Sequence, residues 1–510
     1  MLSGTSVWTV FIIYSILVAA VGIYAWRNQV IKTSQNYYTG KGSIGSFVLI
    51  MTYIASLMST WVFFAGPGGY YRGGFVFYLS ELSYIPLFPV VAYFVMNKVW
   101  LLNSQRNYVT PADVYDDRFR SPILRVVLGV IFLMASLPYV ASVLVAGGRA
   151  AEVASGGTIS YQTVIVVMTL TMLVYVVLGG MRSVAWTDTF QGWLFIILLW
   201  VIVFSTLAIG FGGSLTAAVS NVWVNTNSWF SYPGPDYWVP YPARLGYPLA
   251  CAIGWTIMLP HVFVRAGFSG QNLITQRKLM SYVPILQTLV WTGTMLIGLL
   301  GIALVPGLGA EETELIIPFL IEAIIQPHGL ALASFLMIGF FIGAVAVGMS
   351  TANSFLLVSG SIISEDFIDK TFKLKLSYDQ KMMVARIVIV LIGIGSMFLA
   401  FNPPELIWTL IMFAIAIVMP LFPVLIAALY WRRATATAAV VASVVGAITV
   451  LLTYFTWGIG WMWYGTFGML ASAVLVIVVS YITPQTDKKV LDEFYGALKH
   501  AENVYYTEGK

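Results

Sequence analysis

Apolar residues run along this chain in long blocks rather than alternating with polar ones, and the blocks recur at nearly regular intervals. With a window of about 19 residues, they predict helices at 7–26, 45–66, 75–97, 123–147, 159–180, 186–211, 246–269, 281–306, 331–360, 383–402, 405–430, 434–457 and 461–482, thirteen in all. Each block is close to the roughly 20 residues that a helix rising about 1.5 Å per residue needs to cross about 30 Å of hydrocarbon. Stretches of about ten alternating residues, the mark of a membrane β-barrel, do not occur. The predicted class is an all-α integral membrane protein with lipid bilayer around its flanks. The first block lacks a basic leading region and an A-x-A-like cleavage site, so it reads as a retained span rather than a signal peptide.

The polar positions between the blocks set an orientation. If the N-terminus lies outside, only Arg72, Arg149 and Arg244 of the 26 Lys and Arg fall on the outer side. That asymmetry obeys the positive-inside rule and predicts an external N-terminus and a cytoplasmic C-terminus at the cell membrane. The segments are then a leading helix with its cytoplasmic loop at 1–44, a first five-helix repeat at 45–211 and an extracellular loop at 212–245. A second five-helix repeat at 246–430, two trailing helices at 431–482 and a cytoplasmic tail at 483–510 complete the chain. The Trp-, Tyr- and Pro-rich stretch from Val222 to Tyr247 is the longest external segment; its aromatic residues suit the membrane interface, and it reads either as a gate or as an anchored connection.

Composition narrows the function. With 59% hydrophobic and 9% charged residues, the chain has no need of water on most of its surface. The net charge of +5 is spent on topology, so nucleic acid is not an expected partner. Cys251 is the sole cysteine and excludes an internal disulfide. No H-E-x-x-H motif, cysteine–histidine cluster or phosphate-cradling glycine loop points to a membrane-embedded enzyme. The tail is too short for the output domain of a sensor, and no obligatory protein partner is evident.

Two blocks are interrupted in corresponding places. The block at 45–66 holds Ala55-Ser56-Leu57-Met58-Ser59-Thr60 at mid-membrane and Ala65-Gly66-Pro67-Gly68-Gly69 near its end. Five spans later, Leu259-Pro260-His261 breaks another block, where proline removes a backbone donor and frees a carbonyl one turn earlier. Secondary transporters built from inverted repeats hold small-molecule substrate and ion between such broken helices. The block at 331–360 adds Ser350 and Thr351, adjacent hydroxyls of the kind a hard alkali cation prefers. With the carbonyls of Ala55, Met58 and Val347 they make a candidate five-oxygen cage for a sodium ion; ordinary back-bonding within a packed helix is the competing use. Asp188 and Glu81 are carboxylates within apolar blocks, which are costly and therefore candidate functional groups.

Together these stretches resemble the sodium:solute symporter family, which has the leucine-transporter-type fold with one extra leading span. The resemblance runs from Tyr37-Tyr38-Thr39-Gly40-Lys41 to Tyr430-Trp431-Arg432-Arg433. It includes Thr110-Pro111-Ala112-Asp113, Trp186-Thr187-Asp188 with Gln191, Pro260-His261 with Arg265, and Ser364-Glu365-Asp366. It implies a family sodium site on Ala55, Met58, Val347, Ser350 and Thr351, with Asp188 close by. It also implies a solute site on Ser59, Thr60, Trp61, Tyr139, Trp255, Thr256 and Pro260. Some relatives place a second sodium between the aspartate and successive hydroxyls, one of which is replaced here by Val347. The Leu259-Pro260-His261 segment with Arg265 looks like the branch carrying monocarboxylates, proline and pantothenate, whereas Leu57 stands where proline carriers have an aspartate. The implied activity is sodium-coupled import of a small monocarboxylate or amino acid. Proton coupling through Glu81, Asp188 or His261 is the alternative, and Arg265 reads either as an anion holder with His261 or as an anchor at the inner surface.

Overall fold

The computed structural model describes residues 2–28, 33–41, 43–232, 234–235, 246–374, 376–403, 407–457 and 462–507. Among them every extended element is helical, and strand-like pairing is confined to an isolated bridge between Ile44 and Gly270. Backbone groups in hydrocarbon have no water to pair with, and a helix satisfies them within its own segment. Ten described helices are long and apolar enough to cross a membrane, and the bent pair Gly246–Met258 with Pro260–Gly267 raises this to eleven. Two differences separate that count from the expected thirteen. The spans expected at 159–180 and 186–211 form one helix, Tyr161–Phe211, interrupted at Gly180 (φ 56°, ψ −153°). The span expected at 45–66 contributes only the shorter apolar helix Ser46–Met58 before it breaks.

Gly180 has a physical reason to be glycine. Its backbone conformation is one that side chains rarely adopt, and an added Cβ would stand 2.5 Å from the Tyr37 carbonyl oxygen. The interruption therefore lets the loop helix Ser34–Thr39 press against the bend.

At the centre stands Leu330–Ser361, packed along Tyr161–Phe211, Pro122–Ala154 and Ser46–Met58. Two-thirds of its most apolar window is buried, against 28% for Gly4–Arg27 at the periphery. The periphery instead exposes Ile12, Ile13, Ile16 and Leu17, and Phe398, Leu452 and Ile477 do the same elsewhere. An apolar belt of that extent requires a non-aqueous surround. Ala436–Trp457 and Met462–Ile482 pair as a hairpin on one flank.

The polar tail forms a helix, Lys488–Glu502, started by Asp487, whose side chain accepts from the Lys489 amide at 2.8 Å. Leu491, Phe494, Leu498 and Ala501 make its buried face, which docks on Met96–Arg106 and Pro111–Phe119. In the expected external loop, the buried Trp229 indole donates to the Tyr70 carbonyl at 3.0 Å, an anchored arrangement. Positions 233 and 236–245 of that loop lie outside the described residues.

Candidate functional site

Helix Ser46–Met58 ends abruptly because Ser59 takes a positive φ of 57° with ψ −179°, and Thr60–Val62 add a single 3-10 turn before Ala65–Tyr84 resumes. A non-glycine residue with positive φ inside a membrane span is strained, and such strain persists only where the surroundings hold it. The last carbonyls of a helix have no partner within it and must find one elsewhere. Here three other segments supply donors. Ser350 Oγ donates to the Ala55 carbonyl at 2.7 Å, His261 Nε2 to Ser56 at 3.2 Å and Trp255 Nε1 to Leu57 at 2.9 Å.

The second break matches the first. A π-helical segment, Ala250–Met258, ends at Leu259, and Pro260–Gly267 departs at 66° to its predecessor. Proline has no N–H to continue the ladder and sits comfortably in the first turn of the new helix. The Tyr53 hydroxyl donates to the Thr256 carbonyl, tying the two broken segments together.

The expected ion ligands therefore meet in part. Ser350 Oγ lies 2.7 Å from the Ala55 carbonyl oxygen and 2.9 Å from that of Val347, and Thr351 Oγ1 donates to the same Val347 carbonyl at 3.2 Å. Met58 is the last residue of the broken helix, one turn from Ala55. All five residues are fully buried. Alkali ions take neutral oxygens as replacements for hydration water, and these hydroxyls and carbonyls are of that kind.

The seven expected solute residues are also buried. Trp61 and Trp255 stand with ring centroids 5.7 Å apart, and Trp291, which sequence reasoning did not single out, completes a triangle at 6.2 and 5.6 Å. Tyr139 packs on Phe355 at 4.6 Å and faces His261 at 6.4 Å. Thr60 Oγ1 has no hydrogen-bond partner. With Ser59, Thr60, Trp61, Tyr139, Trp255 and Thr256 all at 1% exposure or less and Pro260 buried, these side chains are shielded from solvent.

Asp188 lies inside the bundle, as its place in an apolar block allows. It is fully buried and paired with Arg265, whose Nη2 is 3.0 Å from Asp188 Oδ2. Thr52 Oγ1 donates to the same oxygen at 2.6 Å while accepting from Arg265 Nε at 3.0 Å. Arg265 Nη1 donates to the His261 carbonyl at 3.0 Å and Nη2 to Ser354 Oγ at 2.6 Å. The Arg265 guanidinium is thus buried and paired with Asp188 rather than exposed at the inner surface. The positive-inside count treated it as a loop charge because its partner lies 77 residues away in sequence. Glu81 gains the partner that sequence could not name, since the Tyr247 hydroxyl donates to its Oε1, while Oε2 has no hydrogen-bond partner.

Two further motifs converge at one end of the bundle. Arg125 reaches Asp113 at 2.7 Å, Asp116 at 2.6 Å and Asp366 at 2.6 Å, and Lys370 adds a bond to Asp113 at 2.5 Å. Thr110 caps its helix and also donates to Asp366 at 2.7 Å. Burial works against the charge of Asp113, but Lys370 and Arg125 overrule it and hold the carboxyl well below the usual range.

Comparison with known proteins decides what this arrangement belongs to. The sequence profile of the Sodium:solute symporter family matches residues 37–446. The chain belongs to that family. It is therefore a multi-pass membrane transporter whose coupled ion is sodium, and its activity is solute symport rather than catalysis. Its relatives include the osmoregulated proline transporter OpuE of Bacillus subtilis, 28% identical with 93% of this chain and 94% of that one covered. The sodium/proline symporter of Escherichia coli is 27% identical over 91% and 89% of the two chains. The sodium/pantothenate symporter of Haemophilus influenzae is 26% identical over 86% and 89%. Among solved structures, a substrate-bound, outward-open Na+-coupled sialic acid symporter superposes with a TM-score of 0.77. It is 20% identical, and 94% of this chain and 99% of that one are covered, which establishes the shared leucine-transporter-type fold.

Proposed function

We propose that this symporter imports a small monocarboxylate or amino acid together with sodium by alternating access, with the N-terminus outside and the C-terminus in the cytoplasm of the cell that carries it. The reading takes segments 45–211 and 246–430 as the two inverted repeats that rock against each other. What carries it is the contact between Ser350 Oγ and the Ala55 carbonyl at the point where Ser46–Met58 breaks. A cation held there by Ala55, Met58, Val347, Ser350 and Thr351 bridges two helices that belong to different repeats.

The solute binds against the adjoining aromatic cluster, and relatives named as carriers of proline and pantothenate support a carboxylate-bearing solute. Arg265 is committed to Asp188, so the carboxylate is met by neutral groups. These are the unpartnered Thr60 hydroxyl and the positive end of helix Pro260–Gly267. External sodium then lowers the cost of the solute-competent form, and by linkage the solute tightens sodium by the same factor.

Uptake by proteoliposomes of a panel of labelled monocarboxylates and amino acids, with and without sodium, tests the function. In the same assay Ser350→Ala with Thr351→Ala abolishes sodium stimulation while the protein still inserts and purifies; unaltered stimulation overturns the assigned cage. Proton coupling on the same scaffold has one observation in its favour, the buried and unpartnered Glu81 Oε2. Uptake in sodium-free buffer across a pH gradient decides between the two ions.

A further inference from the structure

We propose that the cavity between the ends of Gly4–Arg27, Ser34–Thr39 and Tyr378–Phe401 binds a phosphate group, and that its occupation slows the transport cycle. The phosphate is carried either by an anionic phospholipid of the surrounding bilayer or by a small ester dissolved at that face. The site lies apart from both the cage and the solute region.

The cavity measures about 670 Å³, and its polar walls are Arg27, Arg386, Tyr37, Tyr378 and Asp379. Two guanidiniums thus share it with one carboxylate, and none of the three takes part in an ion pair among the described residues. On the same helix as Arg386, Lys381 is matched by Asp369 at 2.6 Å. The cavity therefore carries a surplus positive charge that the chain leaves uncompensated.

Arg386 is held in place. Its Nε donates to the Val177 carbonyl at 3.1 Å, and the Tyr37 hydroxyl beside it donates to the same carbonyl at 3.2 Å. A guanidinium presents five donors in a planar fork that fits phosphate oxygens in pairs. Arg27, at the end of its helix, supplies a second fork, and the Tyr378 hydroxyl adds a neutral donor. Trp26 also lines the cavity at 40% exposure, the kind of amphipathic ring found at the level of lipid head groups.

The location gives an occupant its consequence. Val177 and Gly180 belong to the first proposed repeat, Arg386 to the second, and Arg27 to the leading helix outside both. A phosphate held by both arginines ties the three together at the Gly180 bend, where Tyr37 already presses on the backbone. Rocking that parts the repeats at this joint must then break those contacts.

Binding to purified full-length protein is measured with two probes, phosphatidylglycerol against phosphatidylcholine by native mass spectrometry, and radiolabelled inorganic phosphate by equilibrium dialysis. Wild-type protein is expected to bind at least one probe selectively. Arg27→Gln with Arg386→Gln weakens that binding about tenfold or more. Asp379→Asn removes the competing charge and tightens it several-fold, whereas Arg120→Gln, outside the cavity, leaves it unchanged. Phosphatidylglycerol binding that added phosphate does not displace assigns the lipid source, and phosphate binding by protein in phosphatidylcholine alone assigns the soluble ester. The bound probe at saturation is also expected to lower the initial uptake rate in proteoliposomes at least twofold in the wild type and not in the double variant. Selective binding of neither probe overturns the site, as does equal binding by the wild type and a folded double variant. Should that variant not fold, wild-type affinity in Asp379→Asn overturns it instead. An uptake rate that the bound probe leaves unaltered overturns the slowing.

Discussion

Replacing Arg125 by glutamine perturbs the ionic cluster at the end of the bundle assigned to the cytoplasm. Arg125 holds Asp113, Asp116 and Asp366 at 2.6 to 2.7 Å, and the side chains of Arg125, Asp113 and Asp366 are 6%, 7% and 0% exposed. The cluster joins helix Pro111–Phe119 and the start of Pro122–Ala154 to the segment Ile362–Thr371 that continues Leu330–Ser361. Removing one partner of a buried pair leaves the other charge uncompensated, which costs about 3–5 kcal/mol. Lys370 still reaches Asp113, so the lower value applies. About 3 kcal/mol drawn from the closed form alone corresponds to a shift of about 150-fold toward the form open on that side.

Ser364, whose hydroxyl pairs with Tyr38 at 2.6 Å beside the cluster, is a suitable reporter because it is buried while the cluster is intact. In a Ser364→Cys protein with Cys251→Ala, a membrane-permeant thiol reagent is expected to label many times faster once Arg125→Gln is added. Adding Asp366→Asn as well removes the surplus negative charge and returns the labelling rate toward that of the parent. An unchanged rate with Arg125→Gln, in protein that still binds solute, refutes the reasoning.

Two other predictions follow from the same structure. Trp255→Phe keeps a ring but withdraws the donor from the Leu57 carbonyl, leaving a buried acceptor orphaned at a cost of about 1–3 kcal/mol; solute KM rises at least several-fold in uptake assays while the sodium concentration for half-stimulation moves less. Asp113 contributes stability through a depressed pKa, so its contribution is full above the unfolded value of about 3.9 and lost as pH falls below it. The gap in apparent melting temperature between wild type and Asp113→Asn is therefore present at neutral pH and closes as pH falls below about 4.

The membrane class and the approximate spans were legible because hydrocarbon thickness imposes a length on every helix. The break at Ser59 was legible because small and hydroxylated residues cluster before it, and the break at Leu259 because proline follows. The Ser350 contact with Ala55 joins residues 295 apart; the broken block and the adjacent hydroxyls made the pair a candidate, and the family resemblance implied it. The pairing of Asp188 with Arg265 was not legible. A sequence marks a buried carboxylate as needing a cation, but it does not say whether that cation is dissolved or covalently attached. The same gap hid Trp291, which reads as one more aromatic in an apolar block until it closes the triangle with Trp61 and Trp255.

In the proposed cage, coupling follows from where the oxygens are drawn. Ala55 and Met58 belong to the first proposed repeat and Val347, Ser350 and Thr351 to the second. Any rocking that separates the repeats therefore takes the cage apart. Without an ion, Ser350 Oγ and the Ala55 carbonyl hold that seam by one direct hydrogen bond, worth about 1 kcal/mol net. An ion that collects oxygens from both sides adds several contacts at the same seam and strengthens the joined state in proportion. Ser59 and Thr60 directly follow Met58 in the chain, so fixing the seam also fixes the backbone of the proposed solute site. On the proposed assignment, sodium acts on solute affinity through one short stretch of unwound chain, and its own departure requires that the stretch and the Ser350 helix part.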